Sequence, residues 1–304
     1  SSGVFGPVSI EAGPNNEFVY TGYSADNTVR KFSVADGSLE QEYGMTNNVS
    51  DVSVSPDGNF VYATDDSGIL RKINVSSGNV KWEISNSSHV SAGPDGNFVY
   101  KSGNGNAKRL DAEDGSTQWT ASVGMGLGID IGSTGNFVFG IGGNVTALNA
   151  LNGIGIGGNV TALNALNGNQ QFQNSGNFAS VRAGPNGDFL YTGDSKAKLR
   201  KRDASDGTVV WVSDLKPNTS ESIPIEGIVV GPKNNYVYAS ARKIQFVASF
   251  STPKVRKIIP ENGTKVWDEN IGGRSLEISP GGSFLYVSDR VEPVSKFTAH
   301  FNEG

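Results

Sequence analysis

The sequence predicts an all-β fold, a seven-bladed β-propeller of four-stranded antiparallel blades. Its 304 residues include 40 glycines and 12 prolines but only 36% apolar residues, a balance typical of short strands joined by tight turns. One turn-and-strand phrase recurs seven times along the chain. It recurs at intervals of 38 to 52 residues, a period that matches one four-stranded propeller blade.

The recurring phrase is a turn followed by an aromatic–aliphatic–aromatic strand. Its clearest copy runs from Ser55 to Tyr62, with the sequence SPDGNFVY. We assign it to the second strand of each blade. The first aromatic residues of the seven copies are Phe18, Phe60, Phe98, Phe137, Phe189, Tyr236 and Phe284.

A second phrase follows the first in most repeats. In the second repeat it comprises the apolar and basic run Leu70–Val75, a turn that contains Gly78, and an aromatic residue four positions later. We interpret it as a third strand, a hairpin turn that needs a positive φ, and a fourth strand whose ring packs against the next blade. The predicted blade-docking rings are Trp82, Trp119, Phe172, Trp211 and Trp267.

The repeats predict one domain over residues 1–304, because a lone blade cannot bury both of its faces. The last repeat lacks a fourth strand, and the position that corresponds to Trp82 falls on Ser2. We therefore expect Ser2–Phe5 to complete the C-terminal blade. The predicted blades are residues 7–48, 49–88, 89–126, 127–177, 178–222, 223–273, and 274–304 together with 1–6.

Two segments break the period. Residues 141–153 recur letter for letter at residues 156–168, so two copies compete for one third-strand position. Such identity indicates a recent duplication or an error in the recorded sequence. The segment Ala241–Pro253 is longer than its equivalents and partly apolar, which predicts a hairpin extension or a contact loop.

The chain resembles two repeat families over nearly its whole length. Residues 109–119 (RLDAEDGSTQW) resemble the repeat of pyrroloquinoline-quinone-type propellers, in which this pattern docks one blade on the next. Residues 55–65 (SPDGNFVYATD) resemble the Tyr-Val-Thr-Asn repeat of surface-layer propellers. The resemblance implies the propeller fold, which enzymes, assembly factors and structural proteins share. The quinone enzymes of the first family typically have eight blades, a Ca²⁺ ion and a vicinal disulfide, so the departures here argue against quinone chemistry.

The sequence predicts no catalytic site and no cofactor. Its two histidines, His89 and His300, fall in different repeats and belong to no recognisable catalytic triad or metal-ligand pair. Adjacent carboxylates occur at residues 65–66 and 113–114, but neighbouring residues of a strand point to opposite faces. Only a loop conformation would bring such a pair onto a structural Ca²⁺ ion.

A basic residue recurs at one position of the third strand. We consider two interpretations: a cationic belt that contacts an anionic glycan or an acidic subunit, and structural pairing within the ring with the side-chain stems along apolar strands. The residues are Lys31, Lys72, Arg109, Lys201, Lys257 and Lys296.

The sequence also contains seven Asn-x-Ser/Thr triplets, which are candidate N-glycosylation sites if the protein is exported. The asparagines are Asn48, Asn74, Asn86, Asn144, Asn159, Asn218 and Asn262.

Charge and composition argue against several classes of partner and of functional site. A net charge of −5 gives no argument for nucleic-acid binding, and no apolar run has the roughly 20 residues of a membrane-spanning helix. The absence of cysteine excludes a disulfide framework, a thiolate metal site and a cysteine nucleophile. Residues 1–3 are not the start of a signal peptide, so we expect any leader to have been removed already.

We therefore expect a non-enzymatic propeller displayed outside the cell, as a component of a surface, an appendage or a virion. It would act through protein or glycan contacts, with self-assembly into an array as one form of this role. Two other interpretations remain open. One is an enzyme with a site in the central pocket, such as a lactonase or a sugar-processing hydrolase, and the other is an assembly adaptor.

Overall fold

The structure of the protein is a computed structural model. This structure describes residues 7–131, 135, 137–142, 159–167, 169–215, 224–241, 254–269, 275–289 and 292–299. Across these residues every regular element is a β-strand and none is a helix, as the sequence predicts. The described part of the chain accordingly contains no helix of the length and apolarity needed to cross a membrane.

The first three blades contain the strands up to the middle of β12. They are β1 (Pro7–Ala12), β2 (Phe18–Tyr23), β3 (Thr28–Ser33), β4 (Leu39–Gly44), β5 (Val49–Val54), β6 (Phe60–Asp65), β7 (Leu70–Asn74), β8 (Val80–Ile84), β9 (His89–Ala92), β10 (Phe98–Gly103), β11 (Gly105–Asp111) and β12 (Thr117–Ile131).

The remaining four blades follow in chain order. Their further strands are β13 (Phe137–Gly142), β14 (Asn159–Asn164), β15 (Gln170–Asn174), β16 (Phe178–Ala183), β17 (Phe189–Asp194), β18 (Lys198–Asp203), β19 (Val209–Asp214), β20 (Ile225–Val230), β21 (Val237–Ala241), β22 (Lys254–Ile258), β23 (Lys265–Glu269), β24 (Ser275–Ile278), β25 (Phe284–Asp289) and β26 (Glu292–Thr298).

Each blade is an antiparallel meander that runs from the axis outward. Blades 1, 2, 5 and 6 are separate four-stranded sheets, and the described part of blade 7 has three strands, β24–β26. Blades 3 and 4 form one seven-stranded sheet because β12 is continuous. Its first part pairs with β11 as a fourth strand, and its second part pairs with β13 as an inner strand.

The turn in the first phrase is closed by its own polar residues. In blade 2 the Ser55 hydroxyl donates to the Asp57 carboxylate and accepts from the Phe60 amide, and Gly58 has a φ of +72°. Asp57 also accepts from the Asn59 amide. The turn therefore fixes where the second strand starts, and alternate residues of that strand enter the core.

The inner strands close a ring. Contacts run from β1 through β5, β9, β12, β16, β20 and β24, and from β24 back to β1. The last seam has its own apolar cluster, in which Ile10 and Val19 of blade 1 pack with Tyr286 of blade 7. Each blade thus buries both faces against neighbours, as the repeat predicts.

The second copy of the duplicated segment fills the third-strand position of blade 4. Strand β14 lies within that copy and pairs with β13 and β15. The described residues of the first copy, 141 and 142, form the end of β13, and residues 143–158 lie outside the described residues. Most of the segment Ala241–Pro253 and the expected N-terminal strand at Ser2–Phe5 also lie outside them.

Candidate functional site

The axial channel collects the charged residues of the inner strands. They recur at one position of the repeat, seven residues before the first aromatic of each blade. The residues at this position in blades 1 to 5 line a cavity of about 280 Å³, together with neighbouring residues of those blades and Ser275 of blade 7. The seven residues at this position are Glu11, Ser53, Ser91, Asp130, Arg182, Val229 and Glu277.

Arg182 is the cation of this group and links blade 5 to other blades. Its guanidinium donates to Glu277 across the channel over 3.0 Å and lies 4.0 Å from Asp130. Its Nε donates to the Ile228 carbonyl of blade 6 over 3.2 Å. The guanidinium therefore holds blades 4 to 7 together at the axis.

Burial makes the carboxyls here weaker acids than usual. Burial raises the pKa of Glu11 well above its ordinary value, and the nearby Glu277 raises it further. Burial also raises the pKa of Asp130 and of Glu277 more than Arg182 lowers either one. Burial opposes the charge of Arg182, but Glu277 and Asp130 raise its pKa above the usual value. The site thus holds protonatable carboxyls around a fixed positive charge.

Two of the channel carboxylates are held by neighbouring strands. Asp130 accepts from the Ala183 amide of blade 5 over 2.8 Å. Asp51 accepts from the Ser9 hydroxyl of blade 1 and from the Val90 amide of blade 3, over 2.9 and 3.1 Å. These bonds join adjacent inner strands, so both carboxylates have a structural role.

The residues suggested for Ca²⁺ are engaged in turns. Asp65 accepts from the Ser67 and Ile69 amides, and Asp66 accepts from the Asn48 amide group. Asp114 accepts from its own turn, at the Ser116 amide. Within the described ranges no three His, Cys, Asp or Glu residues are arranged to hold a metal ion.

A second cavity opens between blades 1, 2 and 3. It has a volume of about 650 Å³ and a polar lining that includes Asn48, Asp66, Asn104 and His89. The Nδ1 atom of His89 is buried without a hydrogen-bond partner. His300 lies outside the described residues.

The predicted docking rings lie in the seams between blades. The Trp82 indole donates to the Ala112 carbonyl of blade 3 over 3.2 Å, and the Trp211 indole donates to the Pro260 carbonyl of blade 6 over 2.8 Å. Trp119 donates to the Ala165 carbonyl of blade 4 over 2.9 Å. The other two rings pack similarly: Phe172 against Gly207 of blade 5, and Trp267 in a cluster with Ala299 of blade 7.

The glycine after each third strand explains part of the second phrase. Gly115 and Gly263 have φ of +78° and +75°. A Cβ atom on Gly115 would lie 3.1 Å from the Trp82 ring, and one on Gly263 would lie 2.7 Å from the Trp211 ring. Glycine is therefore required at these positions for two reasons. The turn needs a positive φ, and the ring of the preceding blade leaves no room for a Cβ atom.

The six basic residues of the third strands stand over aromatic rings of their own blades. Three of the lysines, Lys72, Lys201 and Lys257, are only 7%, 6% and 2% exposed, and their ammonium groups donate to carbonyls of the next blade. These contacts favour the structural interpretation over the belt. The pairs are Lys31 on Phe18, Lys72 on Phe60, Arg109 on Phe98, Lys201 on Phe189, Lys257 on Tyr236 and Lys296 on Phe284, with the charge 3.4 to 4.0 Å from the ring centre.

The candidate glycosylation sites differ in exposure. Asn48, Asn86 and Asn262 are exposed, whereas Asn74 and Asn159 are half-buried. The remaining two, Asn144 and Asn218, lie outside the described residues.

Comparisons with known proteins agree with this geometry. The family described as outer membrane protein assembly factor BamB matches residues 156–292, and the WD domain, G-beta repeat family matches residues 37–72. This chain is a seven-bladed β-propeller, and the matches fit the PQQ-like type of propeller repeat. No curated protein sequence matches the propeller.

Solved structures show the same fold at low identity. The propeller is similar to Kuenenia stuttgartiensis hydrazine synthase, with a TM-score of 0.79, 15% identity, and coverage of 98% of this chain and 97% of that one. It is also similar to U3-55K, with a TM-score of 0.76, 13% identity, and coverage of 93% and 88%. Such identities establish the fold alone.

Sequence reasoning missed the axial cluster. Its members are 40 or more residues apart, and neither their neighbours nor their spacing resemble a known site. Aligning the seven repeats on the first aromatic would have placed Glu11, Asp130, Arg182 and Glu277 at one position. The recurrence of charged residues at that aligned position is the sequence feature that could have revealed the cluster.

Proposed function

We propose that this propeller is a non-enzymatic interaction scaffold, displayed outside the cell, that acts through protein or glycan contacts on its rim. Propellers with WD-like and PQQ-like repeats are a fold commonly used for such contacts. The observation that supports the proposal best is the outer strand of blade 5.

Strand β19 is an exposed sheet edge with an unusual side-chain composition. Val209, Val210 and Val212 on this strand are 46 to 51% exposed. By contrast, the outer strands of blades 1 and 2 each expose one large apolar residue, Leu39 or Val80, among charged residues such as Glu42 and Lys81. Charges on an edge strand prevent pairing with other chains, and exposed apolar edges favour it. Blade 5 therefore offers the rim a contact surface that the first two blades lack.

Sedimentation across a range of concentrations tests the proposal, using the double variant Val210→Lys/Val212→Lys and the control Val80→Lys on β8. We expect the wild-type protein and the control to associate with copies of themselves or to bind an added surface glycan, and the double variant to lose this association. A wild-type protein that stays monomeric, binds no glycan and behaves like the double variant would contradict the proposal.

A second function is favoured by the raised pKa of Glu11 in the axial cavity. Carboxyls with raised pKa values at a cavity are typical of general acid–base catalysts. On this alternative the propeller is a central-pocket hydrolase, and Glu11 transfers the proton. Glu11→Gln would then abolish hydrolysis of a lactone or glycoside panel while leaving the fold intact, whereas equal rates in both proteins would exclude the role.

A further inference from the structure

The cavity of about 650 Å³ between blades 1, 2 and 3, which we call the interblade cavity, lies among turns at the ends of strands. Its walls include the turn after β6, the segment between β8 and β9, and the turn between β10 and β11. Two side-chain pairs line it. The Asn48 amide donates to Asp66 over 3.1 Å, and the Asn104 amide donates to Asn86 over 2.8 Å. Within the described residues, the side-chain oxygens of Asn48 and Asn104 and the Oδ1 atom of Asp66 accept no hydrogen bond, so each pair can still accept from a ligand.

A buried lysine fixes one wall of this cavity. The side chain of Lys101 is 1% exposed, and its ammonium donates to the Ser85 and Asn86 carbonyls and to the Ser87 hydroxyl. The Ser87 amide in turn donates to the Gly68 carbonyl of blade 2 over 2.9 Å. A wall held in this way loses little conformational freedom when a ligand binds. The corresponding residues of the other six repeats are small or β-branched: Thr21, Ala63, Gly140, Thr192, Ala239 and Val287.

The lining favours a neutral, hydroxyl-rich ligand. Among the described lining residues, the large apolar side chains are those of Val8 and Val49, and none is aromatic. Docking of a peptide segment depends on aromatic or apolar anchors in a pocket, which such a lining does not accommodate well. The described lining contains no Lys or Arg either, and the Asp66 carboxylate repels anions. Sugar hydroxyls both donate and accept hydrogen bonds, so they match a lining of amides, hydroxyls and a carboxylate.

One carboxylate of the lining is already used by the fold. Asp65 is 1% exposed and accepts from the Ser67 and Ile69 amides of its own turn. Among the described lining residues, Asp66 therefore offers the one free carboxylate oxygen, which is too few ligands for a Ca²⁺ ion. Surrounded by neutral amides, this oxygen instead matches a hydroxyl group that donates to it.

We infer that the interblade cavity binds a neutral saccharide of one or two rings. Its volume lies within the range of about 300–1,000 Å³ that is typical of small-ligand sites. The hydroxyls of the sugar donate to the free oxygens of Asp66, Asn48 and Asn104 and accept from the second N–H of each amide. The inference goes beyond the proposed rim function, because this cavity belongs to blades 1 to 3 and β19 belongs to blade 5.

An NMR titration of the ¹⁵N-labelled full chain tests the inference. The neutral probes are the methyl glycosides of glucose, mannose and galactose together with maltose and cellobiose, and glucuronate is the anionic probe. Asn48 and Asn86 belong to N-glycosylation triplets, so the chain is produced without glycans in a bacterial cytoplasm. We expect saturable amide shifts with at least one neutral probe, at a Kd of about 1 mM or lower, and weaker binding of glucuronate.

A matched pair of turn variants tests the role of the amides. Asn104→Gly removes one amide without straining its turn, because Asn104 has a φ of +49°. We expect it to weaken binding by about tenfold. The control Asn27→Gly lies in the corresponding turn of blade 1, has a φ of +59° and is not part of the cavity lining, so it should retain binding.

The position of the shifts in the unaltered protein decides the outcome even if a variant fails to fold. Shifts confined to residues 48–50, 66–68, 86–89 and 104 support the inference. No saturable shift with any neutral probe, equal binding by the two variants, or tighter binding of glucuronate overturns it. Shifts centred on β19 also overturn it and support the rim proposal instead. Self-association through β19 is measured separately, so its failure leaves this inference unaffected.

Discussion

At the scale of single residues, the centre of the ring depends on one guanidinium among several carboxyls. Arg182 contacts Glu277 and Asp130, and the charges of Glu11 and Asp51 also act on it. These pairs are partly buried, because the Glu277 and Asp130 side chains are only 13% and 15% exposed, so loss of Arg182 leaves carboxylates with little access to water. That loss costs more than loss of a pair whose carboxylate is exposed. Arg182 is therefore the single side chain on which the axis depends most.

Replacing Arg182 by glutamine is expected to lower the free energy of unfolding by about 3 kcal/mol at pH 7.5. The loss should shrink at pH 5, because the unpaired carboxyls then take up protons. Urea unfolding at both pH values measures it. Arg71→Gln is the control, since the exposed Arg71–Glu83 pair contributes about 0–1 kcal/mol. Equal effects of the two substitutions would contradict the central role of Arg182.

The raised pKa values predict the sign of the pH dependence. The folded protein binds protons at Glu11, Asp130 and Glu277 more tightly than the unfolded chain does. Stability therefore increases as pH falls from neutral through these raised pKa values, and this gain is complete near the ordinary carboxyl value of about 4. Arg182 faces the same group and stays charged throughout this range, because the neighbouring carboxylates raise its pKa.

Thermal unfolding from pH 8 to pH 4 tests this sign. We expect the midpoint to rise toward mildly acidic pH in the wild type and to rise less in Glu11→Gln, while the surface control Glu83→Gln retains the full slope. A midpoint that falls steadily from pH 8 to pH 5 is the opposite result. Below about pH 4 the turn carboxylates with lowered pKa values, such as Asp57, reverse the trend.

At the scale of the element, the third strand, its glycine turn and the preceding aromatic ring form one repeated device. The sequence predicted its parts because aromatic, glycine and basic residues recur in register. It left two interpretations for the lysines, since their role depends on which carbonyl of the next blade lies above them. The continuous β12 was not predicted either, because its glycines at positions 124, 126 and 128 are typical of a turn between two strands, and the predicted boundary between blades 3 and 4 lies among them.

Lys72 tests whether the lysines are structural. Lys72→Met keeps the aliphatic stem but removes the contacts with Phe60 and the Ala112 carbonyl. We expect the free energy of unfolding to fall by about 1–3 kcal/mol. Lys81→Met, at an exposed position of the same blade, should change it by less than about 0.5 kcal/mol. Unchanged stability in Lys72→Met, accompanied by loss of a binding partner, would favour the cationic belt.

Two glycines separate turn strain from ring packing. Gly37 and Gly263 share a φ of +75°, but only Gly263 faces a ring. Gly37→Ala should cost about 1–2 kcal/mol from left-handed strain alone. Gly263→Ala should cost about 1–3 kcal/mol more, because its Cβ meets Trp211. Denaturant unfolding of the two variants gives the difference directly, and equal losses would show that the ring does not press on the turn.

At the scale of the whole molecule, the fold depends on closure of the ring of blades. The sequence predicted seven blades because seven registers agree. The axial cluster was beyond it, since this cluster is formed by residues of blades that meet only when the ring closes. Closure is visible at the last seam, where β24 contacts β1 and Lys296 of blade 7 donates to Val34 of blade 1.

Native-state amide hydrogen exchange of the terminal blades tests closure most directly. Amides of β1 and of β24–β26 have neighbours on both faces in a closed ring, so they should exchange about as slowly as those of β5 and β6 inside the array. Exchange in β1 and β24–β26 that is faster by orders of magnitude than in β5 and β6 would contradict a closed ring and indicate an open row of blades.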